Sequence, residues 1–245
     1  MIYIILPIFN EAARLETLIT KIKNVLITAR LPYTIIAVND GSKDDSQQIL
    51  ERLSAVIPIN IITHKMNRGL GETLRDGFEQ VATLGANGDV AICMDADDTQ
   101  DPGCIPAMID KLNEGYDIVV ASRYAKGGQQ VGLSWNRRFF SRGANLLAKT
   151  CFPVKGLKDY SCGYRAYKVN IIQKAIDIYK NNFIELKGLG FTATPEILIK
   201  MIRLKASVAE VPLILRYDLK ESSSKMNNYA TIIGYLVLVV KNIGK

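Results

Sequence analysis

The chain has 245 residues and a mass of 27.2 kDa, which is long enough for one substantial hydrophobic core. Its 48% hydrophobic and 22% charged residues are typical of a globular protein, and 18 glycines with 8 prolines exclude collagen-like and low-complexity classes. Lysine and arginine number 31 against 24 acids, and this net charge of +7 indicates an anionic partner, whereas a single histidine, His64, excludes HExxH zinc proteases and Cys2His2 fingers.

Short β-branched segments alternate with longer amphipathic segments in the first half of the chain. Strands are predicted at residues 2–6, 34–38, 59–63, 90–94 and 118–121. Helices are predicted at residues 11–26, 44–53, 71–84 and 102–113. This alternation predicts an α/β fold with a mostly parallel, mixed sheet and helices on both faces, in a single domain.

The pattern changes after Ser122. Residues 123–132 contain glycine and lysine and predict a mobile loop, and residues 220–228 are polar. Helices are predicted at residues 135–149, 171–179, 195–203 and from about 229 to 243, with a short strand near residue 168 and another at 208–215. No segment is long enough to be a linker between two independent domains.

Two carboxylates directly follow the buried strand at residues 90–94. Asp95 and Asp97 are two positions apart on a chain that leaves the sheet, so both can turn toward its carboxyl edge. Oxygen ligands of this kind suit Mg²⁺ or Mn²⁺, which complete their coordination with substrate phosphates. The alternative interpretation is an acidic turn that caps the helix beginning at Pro102, with Asp101 as the cap.

Acids also follow two other strands. Glu11 comes after the first strand and Asp40 after the second, and the carboxyl ends of parallel strands meet at one edge of a sheet. Asp40 can accept a hydrogen bond from a base, and a nearby Glu can hold a ribose hydroxyl. The three strand ends together predict a nucleotide crevice. His64 also ends a strand, but a histidine there is more typical of packing or of the surface than of catalysis.

Seven short motifs resemble those of the family-2 glycosyltransferases of GT-A fold, most closely the dolichyl-phosphate or polyprenyl-phosphate mannose synthase branch. The resemblance runs from Ile4 to about Lys225. The motifs of the wider superfamily are Pro7-Ile8-Phe9-Asn10-Glu11, Asn39-Asp40-Gly41-Ser42, Asn67-Arg68-Gly69-Leu70-Gly71 and Asp95-Ala96-Asp97. The motifs more specific to the lipid-phosphate branch are Ala121-Ser122-Arg123-Tyr124, Ser141-Arg142-Gly143-Ala144-Asn145 and Cys162-Gly163-Tyr164-Arg165-Ala166-Tyr167.

The resemblance implies a role for each matching residue. The nucleoside pocket would be lined by Pro7, Phe9, Glu11 and Asp40. The divalent metal, and through it the diphosphate, would be held by Asp95 and Asp97. Sugar or phosphate oxygens would be faced by Arg123 and Arg142, whose planar forks suit oxyanions, and the donor or acceptor phosphate would be closed over by Arg216, Lys220 and Lys225.

Three departures from the family pattern bear on the site. Asn39 replaces an acid that many relatives have. The third metal ligand, often a Gln two residues after the acidic pair, would here be Gln100 at a longer spacing, with Asp98 or water as substitutes. The closing Ser222–Lys225 turn lacks the usual glycine, which leaves open whether Arg216 or Lys220 contacts phosphate.

The implied activity is inverting transfer of a hexose, mannose from GDP-mannose, to a polyprenyl or dolichyl phosphate with Mg²⁺ or Mn²⁺. A phosphate acceptor is already anionic, so the chemistry needs no general base. A UDP-glucose or UDP-GlcNAc donor, a saccharide hydroxyl acceptor, and a nucleotide-sugar-binding regulatory module remain alternatives. Residues 1–215 would form the catalytic domain, with a nucleotide-binding half at 1–122 and an acceptor half at 123–215, and residues 216–245 a closing loop and an amphipathic or interfacial helix.

Location is predicted from three further features. The cysteines form no CxxC pair, which indicates reduced thiols in a reducing compartment, and no segment is long enough to span a bilayer. The terminal helix carries apolar residues that either pack on the core or lie in a membrane interface. We therefore expect a cytoplasmic protein in peripheral contact with the anionic inner face of the membrane. Nucleic acid is excluded as a partner, because no recognition module is present.

Overall fold

A seven-stranded sheet forms the centre of the computed structural model, which describes residues 1–220 and 228–242. The first five strands are β1 (Ile2–Ile8), β2 (Tyr33–Asn39), β3 (Ile59–Thr63), β4 (Val90–Cys93) and β5 (Ile118–Ser122). The later strands are β6 (Gln129–Val131), β7 (Arg165–Lys168), β8 (Val208–Pro212) and β9 (Ile214–Arg216). The large sheet has the order β3-β2-β1-β4-β7-β5-β8, and β6 pairs with β9 in a small separate sheet.

Among the described strands of the large sheet, only β7 runs antiparallel to its neighbours β4 and β5. The pairs β1–β2, β1–β4, β2–β3 and β5–β8 are parallel. The predicted mixed, mostly parallel α/β sheet is therefore confirmed. The strands are apolar without alternation because helices cover both faces of such a sheet.

The described helices connect and cover these strands. They are α1 (Ala12–Thr28), α2 (Ser46–Ser54), α3 (Leu70–Leu84), α4 (Ile105–Asn113), α5 (Trp135–Cys151), α6 (Val169–Tyr179), α7 (Ala193–Arg203) and α8 (Asn228–Asn242). Helix α1 shows how the sequence determines the packing, since its buried residues recur every three or four positions. They are Leu15, Leu18, Ile19, Ile22 and Leu26.

The segment predicted as one strand at 208–215 is two strands. Pro212 ends β8 because it has no N–H to donate, and the chain crosses to the small sheet at the buried Leu213. Leu213 donates to the Ser122 oxygen at 3.0 Å and accepts from the Gln129 nitrogen at 2.9 Å. The prediction of a loop throughout 123–132 was consequently wrong for Gln129–Val131, which pair with β9.

Helix α8 packs on the core with one face, as one of the two predicted arrangements requires. It packs on α5 and on residues 190–192, and Tyr235 and Leu238 are buried there. Its other face is exposed and carries Ile232, Ile233, Leu236 and Val240.

Candidate active site

The sheet brings its acidic strand ends together. Strand β1 lies between β2 and β4, and all three run parallel, with Ile8 opposite Asn39 and Ile5 opposite Cys93. Glu11, Asp40 and Asp95 therefore follow neighbouring strands at the same edge. Glu11 is close enough to Asp95 for its charge to raise the pKa of that carboxyl.

The acidic loop after β4 is ordered by its own side chains. The amide of Gln100 donates to Asp95 Oδ2 at 2.7 Å, and its oxygen accepts from the Asp95 backbone at 2.9 Å. Asp97 Oδ1 accepts from the hydroxyl of Thr99 at 2.7 Å and from its backbone nitrogen at 3.2 Å. These contacts hold both carboxylates and the Gln100 amide in one buried loop.

Asp98 faces away from this group. Its backbone has a φ of +59°, in the left-handed region, and its carboxylate pairs with Lys21 of α1 at 2.6 Å. Of the two candidate third ligands, Gln100 is thus the one next to Asp95.

The electrostatics of the loop suit a cation. Burial and the neighbouring Asp97 charge raise the pKa of Asp95 to about 7. The ammonium group of Lys220 is hydrogen-bonded to Asp97 Oδ2. Burial alone would lower the pKa of Lys220, but the Asp97 carboxylate outweighs this and the pKa is raised.

The donor set fits Mg²⁺ or Mn²⁺ in chemistry. Two carboxylates are hard ligands, and a positive group already lies against one of them. The Gln100 amide oxygen accepts from the Asp95 backbone here, so Gln100 would have to turn to offer that oxygen to a metal. No cluster of three His, Cys, Asp or Glu side chains arranged for a metal occurs within residues 1–220 and 228–242. A divalent ion here would therefore complete its shell with water or substrate oxygens, as Mg²⁺ commonly does.

A cleft of about 460 Å³ opens at the ends of β2 and β3, at the same edge of the sheet as the acidic loop, although residues 95–100 are not among its lining residues. Its lining includes Phe9, Asn39, Gln47, His64 and Asn67. This volume is within the range of small-molecule sites. Pro7 lies elsewhere, in a small crevice that it shares with Asp95 and Arg165.

Asp40 is buried in the wall of this cleft, between the lining residues Asn39 and Gly41. Its carboxylate accepts from His64 at 2.6 Å, from the Arg68 nitrogen at 2.8 Å and from the Gly69 nitrogen at 2.9 Å. A carboxylate has about four acceptor positions, so one remains for a further donor.

Arg123 has a partner that the sequence did not reveal. Its Nη2 and Nε bind the two oxygens of the buried Asp159, at 2.7 and 2.8 Å, and Nη2 also donates to Ser161 at 2.6 Å. Burial opposes the charge of Asp159, but Arg123 and backbone donors outweigh it and lower the pKa of Asp159. Its only signal in the sequence was an acid just ahead of the Cys162–Tyr167 motif.

The other predicted basic residues are separated. Arg142 is exposed on α5, one residue after Ser141, whose hydroxyl lies 3.4 Å from Arg123 Nη1. Arg216 pairs with Asp218 at 2.8 Å, whereas Lys220 contacts Asp97. Lys225 lies outside the described residues, as does the Ser222–Lys225 turn.

Comparisons with known proteins identify the family of the chain. The model of Glycosyl transferase family 2 matches residues 3–175. A dolichol-phosphate mannosyltransferase of Pyrococcus furiosus is 33% identical over 210 residues, which is 85% of this chain and 54% of the relative. An undecaprenyl-phosphate 4-deoxy-4-formamido-L-arabinose transferase of Pseudomonas fluorescens is 32% identical over 200 residues, 80% of this chain and 55% of the relative. The chain thus spans about half the length of the curated relatives it matches.

The fold also has solved counterparts. Glucosyl-3-phosphoglycerate synthase from Mycobacterium tuberculosis, crystallised with Mn²⁺, UDP and phosphoglyceric acid, has a TM-score of 0.64 and 18% identity, covering 100% of this chain and 80% of its own. At this identity the likeness concerns the fold, which is that of the GT-A glycosyltransferases, as predicted.

Proposed function

The chain belongs to glycosyltransferase family 2, and from this premise we propose that it transfers a hexose from a nucleotide diphosphate to a polyprenyl phosphate. One observation carries the proposal: Asp95 and the buried Asp97 lie at the carboxyl edge of the sheet, the same edge at which a cleft of about 460 Å³ opens. The names of two relatives, which specify dolichol phosphate and undecaprenyl phosphate, support a lipid phosphate as the acceptor.

We expect the donor to lie along the carboxyl edge of the sheet, with its nucleoside in the cleft and its diphosphate at the acidic loop. Phe9 and the buried wall around Asp40 take the nucleoside, and Pro7 and Glu11 flank the passage toward Asp95. Asp95, Asp97 and Gln100 would hold Mg²⁺ or Mn²⁺, which when bound offsets negative charge on the leaving diphosphate. Lys220 adds positive charge at Asp97. We propose GDP-mannose as the donor, because the relative from Pyrococcus furiosus is named for mannosyl transfer.

The acceptor is positioned by cationic side chains from residues 123–215. Arg123 is fixed by Asp159, and its Nη1 atom, 3.4 Å from Ser141, is the part of the fork that Asp159 does not bind. A rigid guanidinium can orient a phosphate for in-line attack on the anomeric carbon, with inversion. The phosphate oxygen is already anionic, so the chain has no proton to remove. Residues 1–122 thus serve the nucleotide and residues 123–215 the acceptor.

Membrane contact is proposed at the joint surface of α5 and α8. Trp135 and Phe139 on α5 are 77% and 64% exposed, with rings 6.0 Å apart, and α8 exposes Leu236 and Val240. Arg142 and Lys149 are exposed on the same α5 helix, and apolar and cationic groups together suit an anionic lipid surface. In the part of the chain that the structure describes, no helix has the length and hydropathy to cross a bilayer.

A donor screen tests the proposal. Purified protein with MnCl₂ is offered radiolabelled GDP-mannose, UDP-glucose or UDP-GlcNAc together with a short polyprenyl phosphate, and lipid extracts are counted. We expect label in the lipid fraction with GDP-mannose, and its loss with EDTA. Lipid label from a UDP-sugar would show that the donor is that UDP-sugar and not GDP-mannose. Label on a saccharide added in a parallel reaction would show that the acceptor is a saccharide hydroxyl. Nucleotide binding without transfer from any donor would favour a regulatory module.

A further inference from the structure

His64 is the buried centre of a cluster of ionisable side chains beside the nucleoside cleft. Its Nδ1 lies 2.6 Å from Asp40 Oδ1, and its Nε2 lies 2.7 Å from Asp76 Oδ2 on α3. The histidine side chain is 4% exposed, so these contacts are screened little by water. Arg68 Nη1 also donates to Asp76, at 3.2 Å.

The two contacts determine the orientation of the ring. Asp40 lies on one side of the ring and Asp76 on the other, so the two carboxyl groups fix the ring between them. Arg68 adds a second basic side chain to the cluster through its contact with Asp76.

The cluster shapes one wall of the cleft. Asp40 also accepts from the backbone of Arg68 and Gly69, which folds the loop after β3 over the end of β2. Gly41 faces this loop so closely that a Cβ there would lie 2.5 Å from the Met66 carbonyl carbon, and its φ is +67°. His64, Met66 and Gly41 all line the cleft. The width of the cleft thus depends on how His64 holds Asp40.

We propose that His64 and Asp76 are positioning residues that set the donor-nucleoside wall through Asp40. This inference rests on the proposed function, because it takes the cleft as the site of the donor nucleoside. Asp76 is not part of the cleft lining, so it acts on nucleotide affinity through His64 and Arg68, which both contact Asp40. Packing alone would not call for this cluster, since apolar residues of similar volume fill a core at no greater cost in free energy.

Two substitutions of His64 separate positioning from packing. In His64→Asn the amide nitrogen takes the position of Nδ1 and can still donate to Asp40. In His64→Gln the amide nitrogen takes the position of Nε2, so it can donate to Asp76 but not to Asp40. Asp76→Ala removes the far carboxylate, and Glu79→Ala is its matched control on α3, because Glu79 pairs with Arg75. Affinity for GDP and for UDP is measured by titration calorimetry with MnCl₂, with melting temperature recorded for each variant.

We expect His64→Gln and Asp76→Ala to weaken nucleotide binding by about tenfold, as loss of a charged hydrogen bond does. His64→Asn should stay within about threefold of the unsubstituted protein, and Glu79→Ala should not differ from it. Equal affinities for His64→Gln, Asp76→Ala and the unsubstituted protein would overturn the inference alone. Equal weakening by His64→Asn and His64→Gln, in step with their melting temperatures, would also overturn it in favour of packing. An unsubstituted protein that binds neither nucleotide would overturn the proposed function itself.

Discussion

Asp159 is fully buried, so its charge depends on the groups that surround it. Arg123 binds both of its oxygens, and the backbone nitrogen of Cys162 donates to it at 3.0 Å. Such a pair adds little net stability, but removing one partner leaves the other charged and uncompensated. We therefore infer that the main role of Asp159 is to hold the guanidinium of Arg123 in place.

Asp159→Asn should lower the free energy of unfolding by about 3–5 kcal/mol, because it leaves a buried guanidinium without a counter-charge. The measurement is urea unfolding followed by circular dichroism. The matched control is Asp218→Asn, which breaks an exposed, water-screened pair with Arg216 and should leave the free energy of unfolding nearly unchanged. Equal costs for the two variants would show that the Asp159 pair is not energetically coupled.

The Asp159 carboxylate also makes the free energy of unfolding fall at low pH, and this fall is called the acid limb below. Its native pKa is lowered, whereas the unfolded chain titrates near pH 4, so on acidification the unfolded state binds the proton first. The contribution of Asp159 should be fully present above about pH 5 and be lost as the pH falls through the native pKa. Unfolding measured from pH 6 to pH 2 should show a shallower acid limb in Asp159→Asn than in the unsubstituted protein, and parallel limbs would contradict this assignment.

At the scale of elements, α8 packs closely against residues 189–192 because a glycine lies on each side of the contact, Gly234 on α8 and Gly190 opposite. A Cβ at Gly234 would lie 1.9 Å from Thr192 Oγ1 and 2.9 Å from the Leu189 oxygen, and one at Gly190 would lie 2.3 Å from Thr231 Oγ1. The backbones of α8 and of residues 189–192 are thus nearer than any side chain on these glycines would allow.

Gly234→Ala should destabilise the protein by about 1–3 kcal/mol, because α8 must move away from Thr192. Gly143→Ala is the matched control, since Gly143 lies inside α5 with open space around its Cβ position. That change should stabilise the protein by about 0.5–1 kcal/mol through helix propensity. Thermal unfolding measures both. A neutral Gly234→Ala would mean that α8 does not pack against residues 189–192.

The elements that could be predicted from the sequence are those whose pattern is local. Strands β1 to β5 are apolar runs between helices, and Asp95 was located because it directly follows one of them. The contacts that could not be predicted join distant residues: Lys220 and Asp97 are 123 residues apart, and Arg123 and Asp159 are 36 apart. Strands β6 and β9 have three residues each, too few for a periodic pattern.

The buried pairing of His64 was also hidden. A lone histidine after a strand predicted a packing or surface residue, and nothing near it in sequence indicated that Asp40 and Asp76 would bind both ring nitrogens. The helical spacing of apolar residues in α3 predicts only that Asp76 is a polar position. Only the fold of the loop between β3 and α3 brings the three side chains together.

At the scale of the whole molecule, the apolar surface of α5 and α8 should govern membrane contact. We expect Trp135→Ser combined with Leu236→Ser to weaken binding to vesicles of phosphatidylglycerol and phosphatidylcholine by about tenfold or more, since burying one large apolar side chain is worth about 1.5–3 kcal/mol. Vesicle co-sedimentation is the measurement. Val56→Ser, an equally exposed apolar position between α2 and β3, is the control. Equal loss in the control would exclude α5 and α8 as the specific contact surface.

The proposed transfer depends on a divalent cation that the acidic loop after β4 would hold. Two neighbouring acids provide a matched pair, because Asp97 faces Asp95 and Lys220 while Asp98 pairs with Lys21. Asparagine replaces either one with little change of shape, and it also tolerates the left-handed backbone of Asp98.

The decisive measurement is titration of Mn²⁺ in the presence of GDP or UDP, followed by electron paramagnetic resonance of the free ion. We expect one bound Mn²⁺ per chain, weakened about 100-fold or more in Asp97→Asn, because loss of a ligand costs more than loss of a group that only orients one. Asp98→Asn should bind within about twofold of the unsubstituted protein. Mn²⁺ binding that is the same in Asp97→Asn, Asp98→Asn and the unsubstituted protein would contradict the account.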